Sequence, residues 1–262
     1  NSQCTPFDCS AILPIYGGIC DTDLVDGIVN QAYSDFESFV LNDNCFDAGL
    51  IDPTNAGTSI KITNVDNFAF SGMPTGITGV TNQAAYTPPG GGVDVLGCAA
   101  YTGTPTEVGV FNCMIDFLAD VQLCAFPWLP QADNAASYTL WLIVKPDPTF
   151  TGLATTYCTT DGIENLTITG TAGGTFSGPG VSGSTFDPSV AGPGTHIIQY
   201  LVSAQEGAAI GPATDSLEIS VTVSTPVLYY VDGDMDGFGA GAGTLYCVDP
   251  GAGYSLNDTD CD

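Results

Sequence analysis

The chain has 262 residues, 44% of them hydrophobic, enough for about two domains with real cores. Its 29 acidic side chains face two cations, Lys61 and Lys145, and no arginine, for a net charge of −27, so nothing basic is present to grip phosphates and nucleic-acid binding is excluded. No apolar run approaches the roughly 18 residues of a spanning helix, and no cationic amphipathic segment suits an anionic bilayer, so no membrane insertion is expected. Asn1 is not an initiator methionine and no signal-peptide core follows it, which reads as a processed start or a segment of a longer chain.

Ten cysteines without a C-x-x-C, and a single histidine, His196, argue for disulfides over zinc and hence for an oxidising compartment: periplasm, cell surface or medium. With 33 Gly and 17 Pro, short strands joined by turns are favoured over long helices. In chain order, residues 27–41 are rich in β-branched and aromatic side chains and read as strand, although residues 21–41 also carry a helical pattern. Residues 59–65, 93–101, 109–118 and 138–144 read as further strands, with turn residues such as Pro88-Pro-Gly-Gly-Gly between them, a spacing that describes a β-sandwich. Lys145-Pro-Asp-Pro148 then breaks the pattern twice with proline and marks a domain boundary. Strands are expected again at 165–169, 174–177, 195–202 and 216–223, forming a second, smaller sandwich that ends at Thr225-Pro226. Beyond it Asp232, Asp234, Asp236, Asp249, Asp258, Asp260 and Asp262 lie among glycines with almost no aliphatic run, a composition unable to build a core unaided.

Gly72-Met-Pro-Thr-Gly-Ile77 and Tyr101-Thr-Gly-Thr-Pro-Thr-Glu-Val-Gly-Val-Phe111 resemble the signature loops of the immunoglobulin- or cadherin-like repeats of bacterial surface proteins, with Met73 for the usual Leu and Phe111 for the usual Tyr. The likeness covers most of residues 14–146. Gly173-Gly-Thr-Phe-Ser-Gly-Pro-Gly-Val-Ser-Gly-Ser-Thr-Phe-Asp-Pro188, with Ala191-Gly-Pro-Gly-Thr-His-Ile-Ile-Gln-Tyr200, resembles the immunoglobulin-like repeat of long modular bacterial adhesins. Members of that family often pair the Cys158 position with a cysteine after the last strand, which residues 205–210 lack. Tyr229-Tyr-Val-Asp-Gly-Asp-Met-Asp-Gly-Phe-Gly239, with Cys247 and Asp258-Thr-Asp-Cys-Asp262, resembles calcium-binding repeats related to thrombospondin type 3. Such repeats continue past the final D-C-D, so the chain is expected to stop inside a module. The resemblances imply an all-β chain: a cysteine-rich domain over 1–146, an immunoglobulin-like sandwich over 147–225 and a calcium module over 226–262.

Asp232, Asp234 and Asp236 at i, i+2 and i+4, followed by Gly237, place three carboxylates on a loop that can curl around one cation, with the Phe238 carbonyl brought to the same ion. The spacing matches the start of an EF-hand loop, but its twelfth position is Gly243, so the missing oxygens are assigned to Asp260 and Asp262, returned to the loop by a Cys247–Cys261 bridge. The competing reading is a solvated acidic tail. By parity the other eight cysteines are expected to pair completely, with Cys124 bonded to Cys158 and no free thiol left. His196 lies on the same strand face as Ile198 and Tyr200, with no nucleophile motif near it, and reads as a packing residue. Trp128, Trp141 and Phe126 offer a sugar platform on paper, but Trp141 lies in a strand pattern.

The reading that follows is a non-catalytic segment of an extracellular adhesin or filamentous appendage of a bacterial cell surface, with Ca2+ as its cofactor. Its expected partners are further copies of itself in a homo-oligomeric fibre, neighbouring repeats, or glycans and proteins of other cells. The alternative is a sugar-binding or spacer region of a secreted hydrolase.

Overall fold

The structure, a computed structural model, describes residues 4–6, 17–21, 23–41, 44–86, 94–127, 129, 132–203 and 213–260, and the protein is all-β. It contains two compact units, one carrying the chain to Lys145 and the other formed by Pro146–Ser203 and Thr214–Asp262. No helix among the described residues is long and apolar enough to cross a membrane.

The first unit holds β1 (Gly18–Ile19), β2 (Gly27–Ile28), β3 (Tyr33–Leu41), β4 (Phe46–Asp47), β5 (Ser59–Ser71), β6 (Ile77–Tyr86), β7 (Asp94–Gly103), β8 (Gly109–Leu123) and β9 (Ala132–Lys145). They form a sheet of order β1-β3-β7-β6 and a sheet of order β2-β9-β8-β5-β4. Alternation along the strands turns one apolar face of each sheet inward. Tyr33, Ile77, Ala99 and Tyr101 of the first sheet share a core with Cys113, Ile115, Leu140, Leu142 and Val144 of the second. Residues 27–41 are two strands, because a turn at Asn30, with φ of 60° and Gln31 N donating to Ile28 O, separates β2 from β3.

The two segments carrying the first resemblance meet in space. Thr104 N donates to Gly76 O at 3.1 Å, Thr106 N to Thr75 O at 3.0 Å, and Thr75 N to the Glu107 carboxylate. Gly76 has φ of 94°, and a Cβ there would stand 2.0 Å from Thr104 O, so this crossing admits only glycine.

The second unit holds β10 (Phe150–Thr151), β11 (Thr156–Cys158), β12 (Glu164–Asn165), β13 (Thr167–Ile168), β14 (Thr175–Ser177), β15 (Val181–Ser182), β16 (Thr185–Phe186), the short helix α1 (Pro188–Ala191) capped by Asp187, β17 (Gly194–Ser203) and β18 (Thr214–Ser224). A sheet of order β11-β18-β17-β14 accompanies a sheet of order β12-β16-β15 and the β10-β13 pair. Phe150, Tyr157, Phe186, Ile198, Tyr200 and Val221 form the core. Tyr200 Oη donates to Thr171 O and accepts from Gly174 N, both at 3.0 Å, which satisfies a fully buried hydroxyl. His196 lies beside this core with Nε2 2.8 Å from Gly192 O, a packed position as its place in the strand alternation suggests.

Past Ser224 come β19 (Val227–Val231), β20 (Ala240–Tyr246) and β21 (Tyr254–Ser255), a sheet of order β20-β19-β21. Disulfides are present as expected, but the two assigned pairings and the expected absence of a free thiol are not what the structure has. Cys4 bonds Cys98, Cys45 bonds Cys124, and Cys158 bonds Cys247, so Cys124 is not the partner of Cys158 and Cys247 is not the partner of Cys261. Cys20 is also disulfide-bonded, and Cys113 is a free, buried thiol, against the expected absence of one. Strand register explains the Cys158–Cys247 bond. Parallel pairing sets Cys158 opposite Ser224 at the end of β18, and the β19–β20 hairpin returns Cys247 until its Sγ lies 3.4 Å from the Ser224 carbonyl oxygen.

Candidate functional site

The loop between β19 and β20 folds around the side chain of Asp232. This residue leaves the strand 6% exposed, its own N–H donating to Gly253 O at 2.9 Å. Its two carboxylate oxygens accept the N–H of Met235 at 2.7 Å and of Gly237 at 3.0 Å, which bends residues 232–237 into a closed ring. Asp234 accepts from Asp236 N at 3.3 Å, and Asp236 from Phe238 N at 2.9 Å. Each of these is an aspartate side chain bonding the backbone two residues on, a habit that suits Asp to turns. The tight path takes Met235 to φ of 65° and Gly237 to φ of 94°.

Segment 253–260 buttresses the ring. Ser255 Oγ donates to Gly237 O at 2.6 Å and accepts from Asn257 N at 3.0 Å, Gly239 N donates to Asn257 O at 2.7 Å, and Asp260 N reaches Gly239 O at 3.4 Å. Gly239 is confined by its neighbour, since a Cβ there would lie 2.5 Å from Cβ of Tyr230. Tyr229, Tyr246 and Tyr254 stack edge to face alongside, with centroids 6.1 and 5.4 Å apart. In residues 226–260 the buried side chains are Asp232 and Ser255, so the interior of this small sheet is a carboxylate and a hydroxyl in place of an apolar core.

The ring brings Asp232, Asp234 and Asp236 together with one ligand oxygen each, all within 4.8 Å of one another. Oxygens sharing one calcium at about 2.3 to 2.6 Å stand no more than about twice that distance apart, so the three fit a single coordination sphere. No lysine or arginine occurs in residues 226–262 to offset their repulsion. Phe238 is tied to the ring through its N–H to Asp236, and its side chain is 41% exposed. Asp260 is docked through its backbone on Gly239, but its carboxylate is not one of the converging three. Asp262 and Cys261 lie outside the described residues. Asp249 caps its own turn by accepting from Gly251 N at 2.8 Å and is not one of the three converging carboxylates. The buttress Ser255 was not among the residues singled out by sequence, because a lone serine after Gly-Tyr carries no signal of its own.

A second group of carboxyls lies in the first unit. Glu37 of β3 faces inward and is 6% exposed, and burial, with the charges of Asp21, Asp35 and Asp23 adding to it, pushes its pKa up to about 8. The neighbouring hydroxyls of Tyr33 and Tyr101 are buried without a hydrogen-bond partner among the described residues, and burial holds both far above the usual tyrosine range. Of the residues considered for a sugar platform, Trp141 is half-buried in β9, where Leu24 N donates to its carbonyl at 3.1 Å, Phe126 is exposed, and Trp128 lies outside the described residues.

A scan against protein-family models and a search of curated proteins return no match to this chain.

Proposed function

We propose that the chain is a non-catalytic, extracellular segment of a bacterial surface adhesin or filamentous appendage, in which Ca2+ bound by Asp232, Asp234 and Asp236 orders the C-terminal sheet. The observation that carries this reading is the buried interior of that sheet, Asp232 and Ser255, at the base of three convergent carboxylates. A small sheet with no fully buried apolar side chain needs another source of stability, and an ion bound by the folded state alone supplies it through mass action, about 2.7 kcal/mol at a hundredfold excess over the dissociation constant. The disulfides and the all-β architecture suit an oxidising exterior. With a net charge of −27, copies or neighbouring repeats approach one another only where cations screen them, so a calcium-rich exterior favours assembly into a fibre.

Amide exchange of residues 226–260 tests this. Protection is expected to rise with millimolar calcium in the parent, to need more calcium in Asp234→Asn, and to respond normally in Asp249→Asn. Exchange indifferent to calcium and chelator, or equal sensitivity of the two variants, overturns the assignment.

A further inference from the structure

The Cys158–Cys247 bond closes a covalent loop across 89 positions of sequence while holding the two Cα atoms 5.5 Å apart. Inside that loop lie β12 to β18, then β19, the acidic ring at 232–238 and β20, which is most of the second unit. Consider tension applied along the chain, as any tether between two anchored points experiences. Without the bond, force arriving through β10 and β11 must leave through the end of β18 and enter β19. There it would peel β19 from β20 and β21 and pull directly on the ring, whose closure is four backbone N–H groups bonded to aspartate side chains and one serine hydroxyl on a carbonyl. Hydrogen bonds of this kind open one after another when a strand is peeled.

With the bond in place the path is different. Tension reaches Cys158, crosses two sulfur atoms to Cys247 and continues along the chain. The ends of the enclosed segment cannot separate beyond the roughly 7 Å span that a disulfide permits between Cα atoms. Both cysteines are held for this by the same backbone group, Ser224, which is paired with Cys158 on one side and touched by Cys247 Sγ on the other. We infer that the Cys158–Cys247 disulfide is a tension shunt that keeps force along the chain from being carried through the backbone of the enclosed segment 159–246. The load passes on into residues 248–260, where it meets the β19–β21 pairing and the bonds of Ser255 and Asn257 to the ring from outside the loop. The inference stands on the disulfide and goes beyond the calcium reading, which is free to fail separately.

The experiment is single-molecule stretching of the whole 262-residue chain held at its two ends, oxidised, at a force that unfolds both units. Releasing the 89 enclosed positions lengthens a fully extended chain by roughly 300 Å at about 3.3 to 3.6 Å per residue. The Cys158→Ser, Cys247→Ser double variant is expected to end that much longer than the parent, and the parent to gain the same length when reductant is added under load. Final length depends on covalent connectivity alone, so a variant that does not fold still reports it. A parent that reaches the variant's length without reductant overturns the shunt. Chelator is expected to leave both final lengths unchanged, so this result is independent of the calcium reading.

Discussion

The hydroxyl of Ser255 donates a 2.6 Å hydrogen bond to the backbone carbonyl of Gly237, joining residues 18 positions apart in a sheet with no apolar core. The same oxygen accepts the N–H of Asn257, so one small side chain clamps the return segment onto the acidic ring. Replacing Ser255 by Ala deletes both bonds, each worth about 0.5 to 1.5 kcal/mol, and leaves the Gly237 carbonyl and the Asn257 N–H to water. Amide exchange at Gly239 and Asn257 is expected to quicken by one to two orders of magnitude, with the β17–β18 amides unaffected. Unchanged exchange at Gly239 would mean that the clamp contributes nothing.

Cys113 is fully buried in β8 within the core of the first unit, its Sγ 4.0 Å from Gly72 O, and burial pushes the thiol up to about 11. A thiolate is the reactive form, so the folded protein is expected to leave Cys113 unlabelled by a maleimide at neutral pH. Denaturant without reductant should expose it to labelling, located by peptide mapping. Rapid labelling of Cys113 under native conditions would contradict its burial.

Much of the fold follows from local rules that a linear reading can apply, and its failures have local causes. The Ile-Gln-Tyr-Leu-Val alternation of β17 and its return in β18 are unambiguous because every second residue is apolar. β5 extends from 59 to 71, beyond the expected end at Val65, because two register shifts and Asn67 at φ of 53° hide its continuation from any period-2 pattern. β9 begins at Ala132, well before the expected 138, since Asp-Asn-Ala-Ala-Ser has poor strand propensity and is held by pairing with β8. The acidic ring was legible from the D-x-D-x-D-G spacing alone. Its covalent anchor was not, because Cys158 and Cys247 become neighbours only through Ser224, a juxtaposition of three separate strands.

Two glycines of like conformation separate strain from crowding. Gly76 and Gly57 have φ of 94° and 86°, but a Cβ at Gly76 would meet Thr104 O at 2.0 Å while one at Gly57 meets nothing within 4 Å. Gly57→Ala is expected to cost about 1 kcal/mol from backbone strain. Gly76→Ala must also part the crossing of residues 75–76 with 104–106, and a loss on the order of 3 kcal/mol or more is expected. Thermal melts of the two variants that shift equally would contradict the crossing.

The buried carboxyl of Glu37 makes the first unit's stability depend on pH in the direction opposite to that of an ion-paired acid. In the unfolded chain Glu37 titrates near the ordinary 4.5, while in the folded unit burial and the charges of Asp21, Asp35 and Asp23 hold its proton until about pH 8. Between those limits the folded state binds more protons than the unfolded one, so the linkage slope is negative and stability falls as pH rises. The contribution is fully favourable below about pH 4.5, declines through the neutral range and levels off above pH 8, a change on the order of a few kcal/mol. Glu37→Gln keeps the shape, removes the titration and is expected to flatten the decline, leaving the variant more stable than the parent at pH 8 and little different at pH 4.5. Denaturant melts from pH 4.5 to 9, followed by the fluorescence of the chain's two tryptophans, Trp128 and Trp141, both of which precede Lys145 in sequence, measure the slope. A parent whose stability rises over that range, or a variant that keeps the parent's slope, would show that Glu37 is ionised in the fold and that the buried proton is not there.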